Sequence, residues 1–343
     1  MIRNEQQGDA RKLLLKELGK RKHDGIYQRE FEVISGFSKS HISETLTTME
    51  KEGRVIRNGF AGPGNRIWLP RYFPRYRDGF MRIGMLRSSE YSRAALAIER
   101  YCKEKDIEAN FYVYDSVSSL LVDQSYGVLE ITMAPVVAQL MYAFTRRNIL
   151  ICDFIASQGS ALLSNLNVKT NVLATTEPSS MMLLAREAFQ RDPEAIISRY
   201  EDPCVAVRNF LGGKFGKLAI WEPYVTELTR NSNFVQSLTY RELLGSIPCC
   251  SMAFSEQFLD GGRQYAMEIL EENRQWRHTE LTEADFKRAR KLIKTKCVST
   301  QSFDESVSHY DFDLKFDRET IMNYLEKSKL PFSFDTIKDR LIF

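Results

Sequence analysis

The chain has 343 residues, with 43% hydrophobic and 27% charged side chains and a formal net charge of +3. This is the composition of a folded globular protein with room for two or three domains. No stretch approaches the roughly 20 consecutive apolar residues of a membrane span, so no membrane partner is expected. The six cysteines (Cys102, Cys152, Cys204, Cys249, Cys250 and Cys297) contain no CxxC pair, and the four histidines are scattered. Neither a disulfide framework nor a metal-ligand spacing is read from them, and no cofactor is expected. The first residues, MIRNEQQGDARK, lack the apolar core of a secretory signal. A cytoplasmic protein with reduced thiols is the expectation.

Residues 1–70 read as a small helical domain. Arg11–Leu18 is an amphipathic helix and Tyr27–Ile34 a second, short one. Gly36-Phe37-Ser38 makes a turn with Ser38 as helix cap. In the next helix Ile42, Leu46 and Met49 form a buried stripe, leaving Lys39, Ser40, His41, Ser43 and Thr47 on a polar face that ends at Gly53. Val55-Ile56-Arg57 and Arg66-Ile67-Trp68-Leu69 read as strands of a hairpin joined by turn residues from Asn58 to Asn65.

The order of three helices and a hairpin resembles the winged helix-turn-helix of MarR-like regulators over roughly the first 70 residues. The resemblance implies a recognition helix in the DNA major groove, with Lys39, Ser40, His41, Ser43 and Thr47 facing the duplex. Arg57, Asn65 and Arg66 of the wing would reach the flanking backbone. Charge agrees: residues 1–80 hold 16 Lys and Arg against 10 Asp and Glu, whereas the remainder holds 32 against 35. Residues 71–79, rich in proline, arginine and tyrosine, read as a linker.

From Phe80 strands alternate with helices, predicting a parallel sheet with right-handed crossovers. Strands are expected at Met81–Leu86, Ala109–Tyr114, Gly127–Met133 and Asn148–Ser157, then at Asn171–Ala174, Leu218–Trp221 and Ser251–Phe254. Ala195–Tyr200 reads as helical and Pro203–Phe210 is ambiguous. Ligands on such sheets sit beyond the carboxyl ends of the strands. Those places hold Arg87-Ser88-Ser89, Ser116-Val117-Ser118, Thr132-Met133-Ala134-Pro135 and Ser157-Gln158-Gly159-Ser160.

These segments, with Thr175–Ser180 and the strand running into Trp221-Glu222-Pro223-Tyr224, resemble the type II periplasmic solute-binding fold. The resemblance is to the branch of sulfonate, nitrate and thiamine-pyrimidine binders, over about residues 80–343. It implies a two-lobed α/β body, with lobe I formed by 80–158 plus 250–343 and lobe II by 159–249. Arg87, Ser88, Ser116, Ser118, Thr132, Ser157, Glu177, Ser179, Trp221 and Glu222 would line the cleft. The ligand would be an anion or a polar heterocycle. Together the two resemblances, LysR-like in their domain logic, imply a cytoplasmic, ligand-responsive transcriptional regulator. Its partners would be double-stranded DNA and a small-molecule effector, and it would act as a homodimer or higher even oligomer. The alternatives are an enzyme on the same fold, similar to the pyrimidine synthases and drawing on Cys249-Cys250, or a solute-binding protein that does not touch DNA.

Overall fold

The computed structural model describes residues 2–58, 65–145, 148–176 and 178–343, with side chains from Asp9 onward. The chain divides into two compact units: residues 1–75 with Tyr126–Val128, and the remainder.

In the first unit, α1 (Ile2–Arg21), α2 (Gln28–Ser35) and α3 (Lys39–Lys51) pack with a three-stranded antiparallel sheet. Its strands β1 (Ile26–Tyr27), β2 (Ile56–Asn58) and β3 (Arg66–Trp68) lie in the order β1-β3-β2. Leu14, Leu18, Phe31, Ile42, Leu46, Met49 and Ile67 form its core, so the i, i+4, i+7 stripe of α3 is the face that buries. Ser38 caps α3 by accepting from the His41 N–H at 3.4 Å. The turn read between the hairpin strands falls largely on residues 59–64, outside the described residues. The short strand β1, which closes the sheet against β3, carries no turn signal long enough to announce it.

The second unit holds two sheets. In chain order the first lobe begins with β4 (Phe80–Leu86), α4 (Ser92–Glu104), β5 (Glu108–Tyr114), α5 (Val117–Ser125), β6 (Ile131–Pro135), α6 (Val136–Thr145) and β7 (Leu150–Gln158). The second lobe follows with β8 (Ser160–Asn165), β9 (Val172–Thr175), α7 (Ser180–Arg191), β10 (Ile196–Arg199), α8 (Pro203–Leu211), β11 (Lys217–Trp221), α9 (Tyr224–Thr229), β12 (Phe234–Thr239) and α10 (Tyr240–Leu244). The chain then returns through β13 (Pro248–Phe254), α11 (Glu256–Trp276), α12 (Glu283–Ile293), α13 (Thr300–Ser306), β14 (Tyr310–Asp311), α14 (Arg318–Ser328) and α15 (Phe334–Ile337).

The first sheet has the order β14-β7-β13-β6-β4-β5 and the second β10-β9-β11-β8-β12. Strands β5, β4 and β6 are parallel, but β13 runs antiparallel to both β6 and β7. The expected all-parallel sheet is therefore corrected to a mixed one: the returning strand is inserted between β6 and β7. Ala195–Tyr200, expected helical, carries the edge strand β10, parallel to β9. Ile196 is 63% exposed there, so pairing rather than burial holds this β-branched pair.

Cys204 of α8 and Cys297 after α12 form a disulfide with Cα atoms 5.8 Å apart. The expectation of reduced thiols throughout is corrected here: the residues are distant in the chain, and only the fold brings them together. Alkylation of the denatured, unreduced chain should count the four free cysteines, Cys102, Cys152, Cys249 and Cys250, and after reduction all six. A count of six before reduction would remove the bond.

Candidate functional site: a cleft between two lobes

The chain leaves the first sheet at Gln158 and starts the second at Ser160; both Gln158 (φ +70°) and Gly159 (φ +69°) are left-handed. Around this passage lies a cavity of ≈ 20 Å³, room for about one water. Its walls come from the carboxyl ends of β4, β6 and β11 (Leu86, Pro135 and Trp221) and from the first residues of α5, α7 and β13. Ser88, Glu90, Tyr91, Ser160, Ser179, Ser180, Cys249 and Cys250 supply its polar lining. This is where the open edge of an α/β sheet presents free N–H groups.

Three hydrogen bonds draw the lobes together across the cavity. Trp221 Nε1 donates to the Arg87 carbonyl at 3.1 Å, and Ser88 Oγ and the Tyr310 hydroxyl each donate to the Glu222 carbonyl at 3.2 Å. Beside them Glu222 is buried, with one carboxylate oxygen 2.7 Å from His309 Nδ1 and the other accepting from the Thr226 N–H at 2.9 Å. The bond to Glu222 lifts the His309 pKa above its ordinary value.

Of the ligand-lining residues expected from the sequence, Ser88, Ser179 and Trp221 line the cavity. Ser179 also caps α7, accepting from the Met181 N–H at 3.2 Å. Arg87 is turned away to other partners: its Nε donates to Asp115 at 2.6 Å and a terminal nitrogen to the Lys294 carbonyl at 2.5 Å. Ser116 accepts from the Ser119 N–H, the ordinary cap of α5, and Ser118 is half-buried on that helix. Thr132 is fully buried within β6, donating to Gln124 Oε1 at 2.6 Å and accepting from Gln139. Ser157 is buried in β7 without lining the cavity, and Glu222 belongs to the neighbouring His309 pocket. Glu177 lies outside the described residues.

Sequence reasoning missed Glu90. Its side chain is 2% exposed, and Oε1 has no hydrogen-bond partner. Burial pushes its carboxyl well above the usual carboxylate range. Cys249 and Cys250 stand beside it. Among the described residues no arginine, lysine or histidine lines the cavity.

Solved structures of the same architecture include solute-binding proteins. The alkanesulfonate-binding protein SsuA from Xanthomonas axonopodis pv. citri, bound to MOPS, aligns with a TM-score of 0.62 and 15% identity over 78% of this chain and 99% of its own. The aliphatic sulphonate-binding SsuA from Escherichia coli gives 0.60 and 14% over 78% and 93%. The nitrate-binding NrtA from Synechocystis PCC 6803 gives 0.58 and 13% over 76% and 85%. The body has the solute-binding-protein fold. No family model and no curated protein matches the chain.

These neighbours overturn the expectation of a DNA-binding transcriptional regulator located in the cytoplasm: they are binding proteins for alkanesulfonate, aliphatic sulphonate and nitrate, the last two periplasmic. The first unit carries its own physical reason for the correction. Arg57, expected on phosphate, donates to Glu50 at 3.0 Å and to Thr47 at 3.5 Å. The Arg66 guanidinium lies 4.1 Å from the centre of the Tyr27 ring, and His41 packs on Phe37. Lys39 and Ser40 are exposed at the start of α3, Ser43 accepts at its carbonyl from Thr47, and the Asn65 carbonyl accepts from the Gln28 N–H. The excess of basic residues is thus partly compensated within the unit. The homodimer, expected so that two recognition helices could read two half-sites, loses its basis with the DNA.

Proposed function

We propose that the chain is a receptor that takes a small solute into the cleft between its lobes. On this reading the solute presents hydrogen-bond donors or positive charge, in contrast to a sulfonate or nitrate. The observation that carries it is Glu90, which lines the interlobe cavity and whose buried Oε1 has no hydrogen-bond partner, while Arg87 is bound to Asp115. A buried polar oxygen left unpaired costs about 1–3 kcal/mol, so a ligand that donates to it recovers that energy on closure. Ser88, Ser160, Ser179 and Ser180 would add hydroxyl contacts, and Trp221 a flat wall. Because the cavity holds about one water, binding requires the lobes to open first.

The disulfide supports a working place in an oxidising compartment, where such bonds persist. The order of three helices and a three-stranded sheet supports a winged-helix topology for the first unit, and the reading assigns it no nucleic-acid role.

A thermal-shift panel of amines, neutral heterocycles, sulfonates and nitrate tests the proposal. A true ligand at 100 times its Kd should add roughly 2.7 kcal/mol. Amines or heterocycles should stabilise the chain, and Glu90→Gln should remove most of the gain. Stabilisation by sulfonates or nitrate alone, insensitive to Glu90→Gln, would sink it.

A further inference from the structure

The geometry points to a bound d-block cation of zinc-like softness as what the cleft receives, held by the Glu90 carboxylate and the sulfurs of Cys249 and Cys250. This deepens the receptor reading and rests on it. One ligand atom from each of the three residues lies within 4.8 Å of the others, and all three side chains are buried. In tetrahedral coordination at a Zn–S distance of about 2.3 Å, two sulfurs stand roughly 3.8 Å apart. With all three atoms within 4.8 Å of one another, the sulfurs need to close by at most about 1 Å to reach that spacing.

Consecutive residues of a regular strand point to opposite faces, so two adjacent cysteines are poor chelators in an ordinary sheet. Here the pairing of β13 with β7 slips between Pro248 and Cys250 and again between Cys250 and Ser251. Such irregularities re-aim side chains, and these bring both sulfurs to the same carboxylate. The surroundings are those of a metal's outer shell. The Tyr91 hydroxyl is 3.2 Å from Cys250 Sγ; Ser180 Oγ and Ser160 Oγ are 3.3 and 3.9 Å from Cys249 Sγ. Either serine or a water could complete a fourth position. The unpartnered Glu90 Oε1 is a second, independent sign, because a buried carboxylate oxygen without a donor fits a cation better than it fits an apolar core.

Binding forms two metal–sulfur bonds and one metal–oxygen bond. It releases both thiol protons, and the Glu90 proton where that carboxyl is protonated, to solvent. No oxidant or reductant is consumed. The site is silent in sequence because Glu90 and the cysteines are far apart in the chain.

The experiment adds cadmium chloride to the full chain with the Cys204–Cys297 bond intact. It follows the ultraviolet thiolate-to-cadmium charge-transfer band and counts ions by native mass spectrometry. One cadmium per chain is expected, with a two-thiolate band that Cys249→Ser and Cys250→Ser each reduce by about half. The paired serine variant should abolish the band. Glu90→Gln should leave it intact and weaken binding by about tenfold or more. Cys102→Ser, remote from the cleft, should bind like the parent, and circular dichroism checks that each variant folds. Should a serine variant unfold, proton release by the parent chain on metal addition gives the answer: two or more protons per ion are expected, and none would overturn the site. Cadmium uptake unchanged in the paired serine variant also overturns it. A chain that ignores cadmium but is stabilised by an amine through Glu90 overturns the metal and leaves the receptor standing. One that responds to neither overturns both.

Discussion

Replacing Arg82 by methionine should cost the fold about 3–5 kcal/mol at pH 7, because it strands a buried carboxylate. Arg82 sits in β4 and Glu130 just before β6, and each is about 1% exposed. The Glu130 carboxylate accepts three bonds from Arg82: from its backbone N–H to Oε2 at 2.7 Å, from Nε to the same oxygen at 3.0 Å, and from a terminal nitrogen to Oε1 at 2.5 Å. Burial outweighs even this pairing and raises the Glu130 pKa above its ordinary value. Without the guanidinium it rises further. A raised carboxyl pKa means that the folded chain keeps a proton which the unfolded chain gives up once pH exceeds the unfolded value. The penalty therefore grows as pH rises from that value and shrinks toward pH 4. Urea unfolding at pH 4.5 and pH 7.5 should show the gap between parent and variant widening at the higher pH. Adding Glu130→Leu should recover only part of the loss, since the Arg82 N–H then lacks its acceptor, itself worth about 1–3 kcal/mol. A single variant as stable as the parent would mean the pair is not buried as described.

What could be read in the sequence follows from how local each signal is. The α3 stripe of Ile42, Leu46 and Met49, the strand Met81–Leu86 and the strand Leu218–Trp221 are written in period and composition, and each is found in the fold, the strands starting one residue earlier. Strand β10 is four residues of sheet edge, too short for its Ile196-Ile197 pair to outweigh a neighbouring alanine in a periodicity reading. Strand β8 begins two residues after β7 ends; the polar Ser157–Ser160 cluster marks the change of lobe at 158/159, but the short run that follows it is not read as a strand. The same distinction governs the site. That Ser88, Ser179 and Trp221 line the cavity is legible because they stand at strand ends and helix starts, a local rule. Arg87 is paired with Asp115, just after β5, instead of lining the cavity, and nothing near Arg87 in sequence announces that pairing. Glu90, Cys249 and Cys250 meet only because β13 returns antiparallel into the first sheet and slips against β7. The charge asymmetry of the first 80 residues misled about function for a related reason. Composition counts Arg57 and Arg66 as free cations, whereas the structure places one against Glu50 and the other over Tyr27.

The passage between the sheets carries the second large effect: Gly159→Ala should destabilise the chain by about 2–5 kcal/mol and hinder closure. Two costs combine. Gly159 has φ +69°, where a β-carbon is strained. That carbon would also stand 1.9 Å from Tyr310 Cε1, well inside contact distance. The ring cannot simply swing away. Its hydroxyl is 3.1 Å from Ser88 Oγ and 3.2 Å from the Glu222 carbonyl, and the Gly159 carbonyl itself accepts from the Glu222 N–H at 2.8 Å. Relief of the overlap must therefore loosen bonds that hold one lobe to the other. The two costs are separable by a double-mutant cycle. Gly159→Ala in a Tyr310→Ala background keeps the backbone strain but loses the overlap, so the added cost should fall to about 1–3 kcal/mol. The coupling between the two positions should then exceed about 0.5 kcal/mol in the compensating direction. Small-angle scattering adds an independent reading, because the alanine chain should be more expanded than the parent while the paired variant need not be. Additive costs with no coupling, or a Gly159→Ala chain as compact and stable as the parent, would show that Tyr310 does not brace the passage and that closure is held elsewhere.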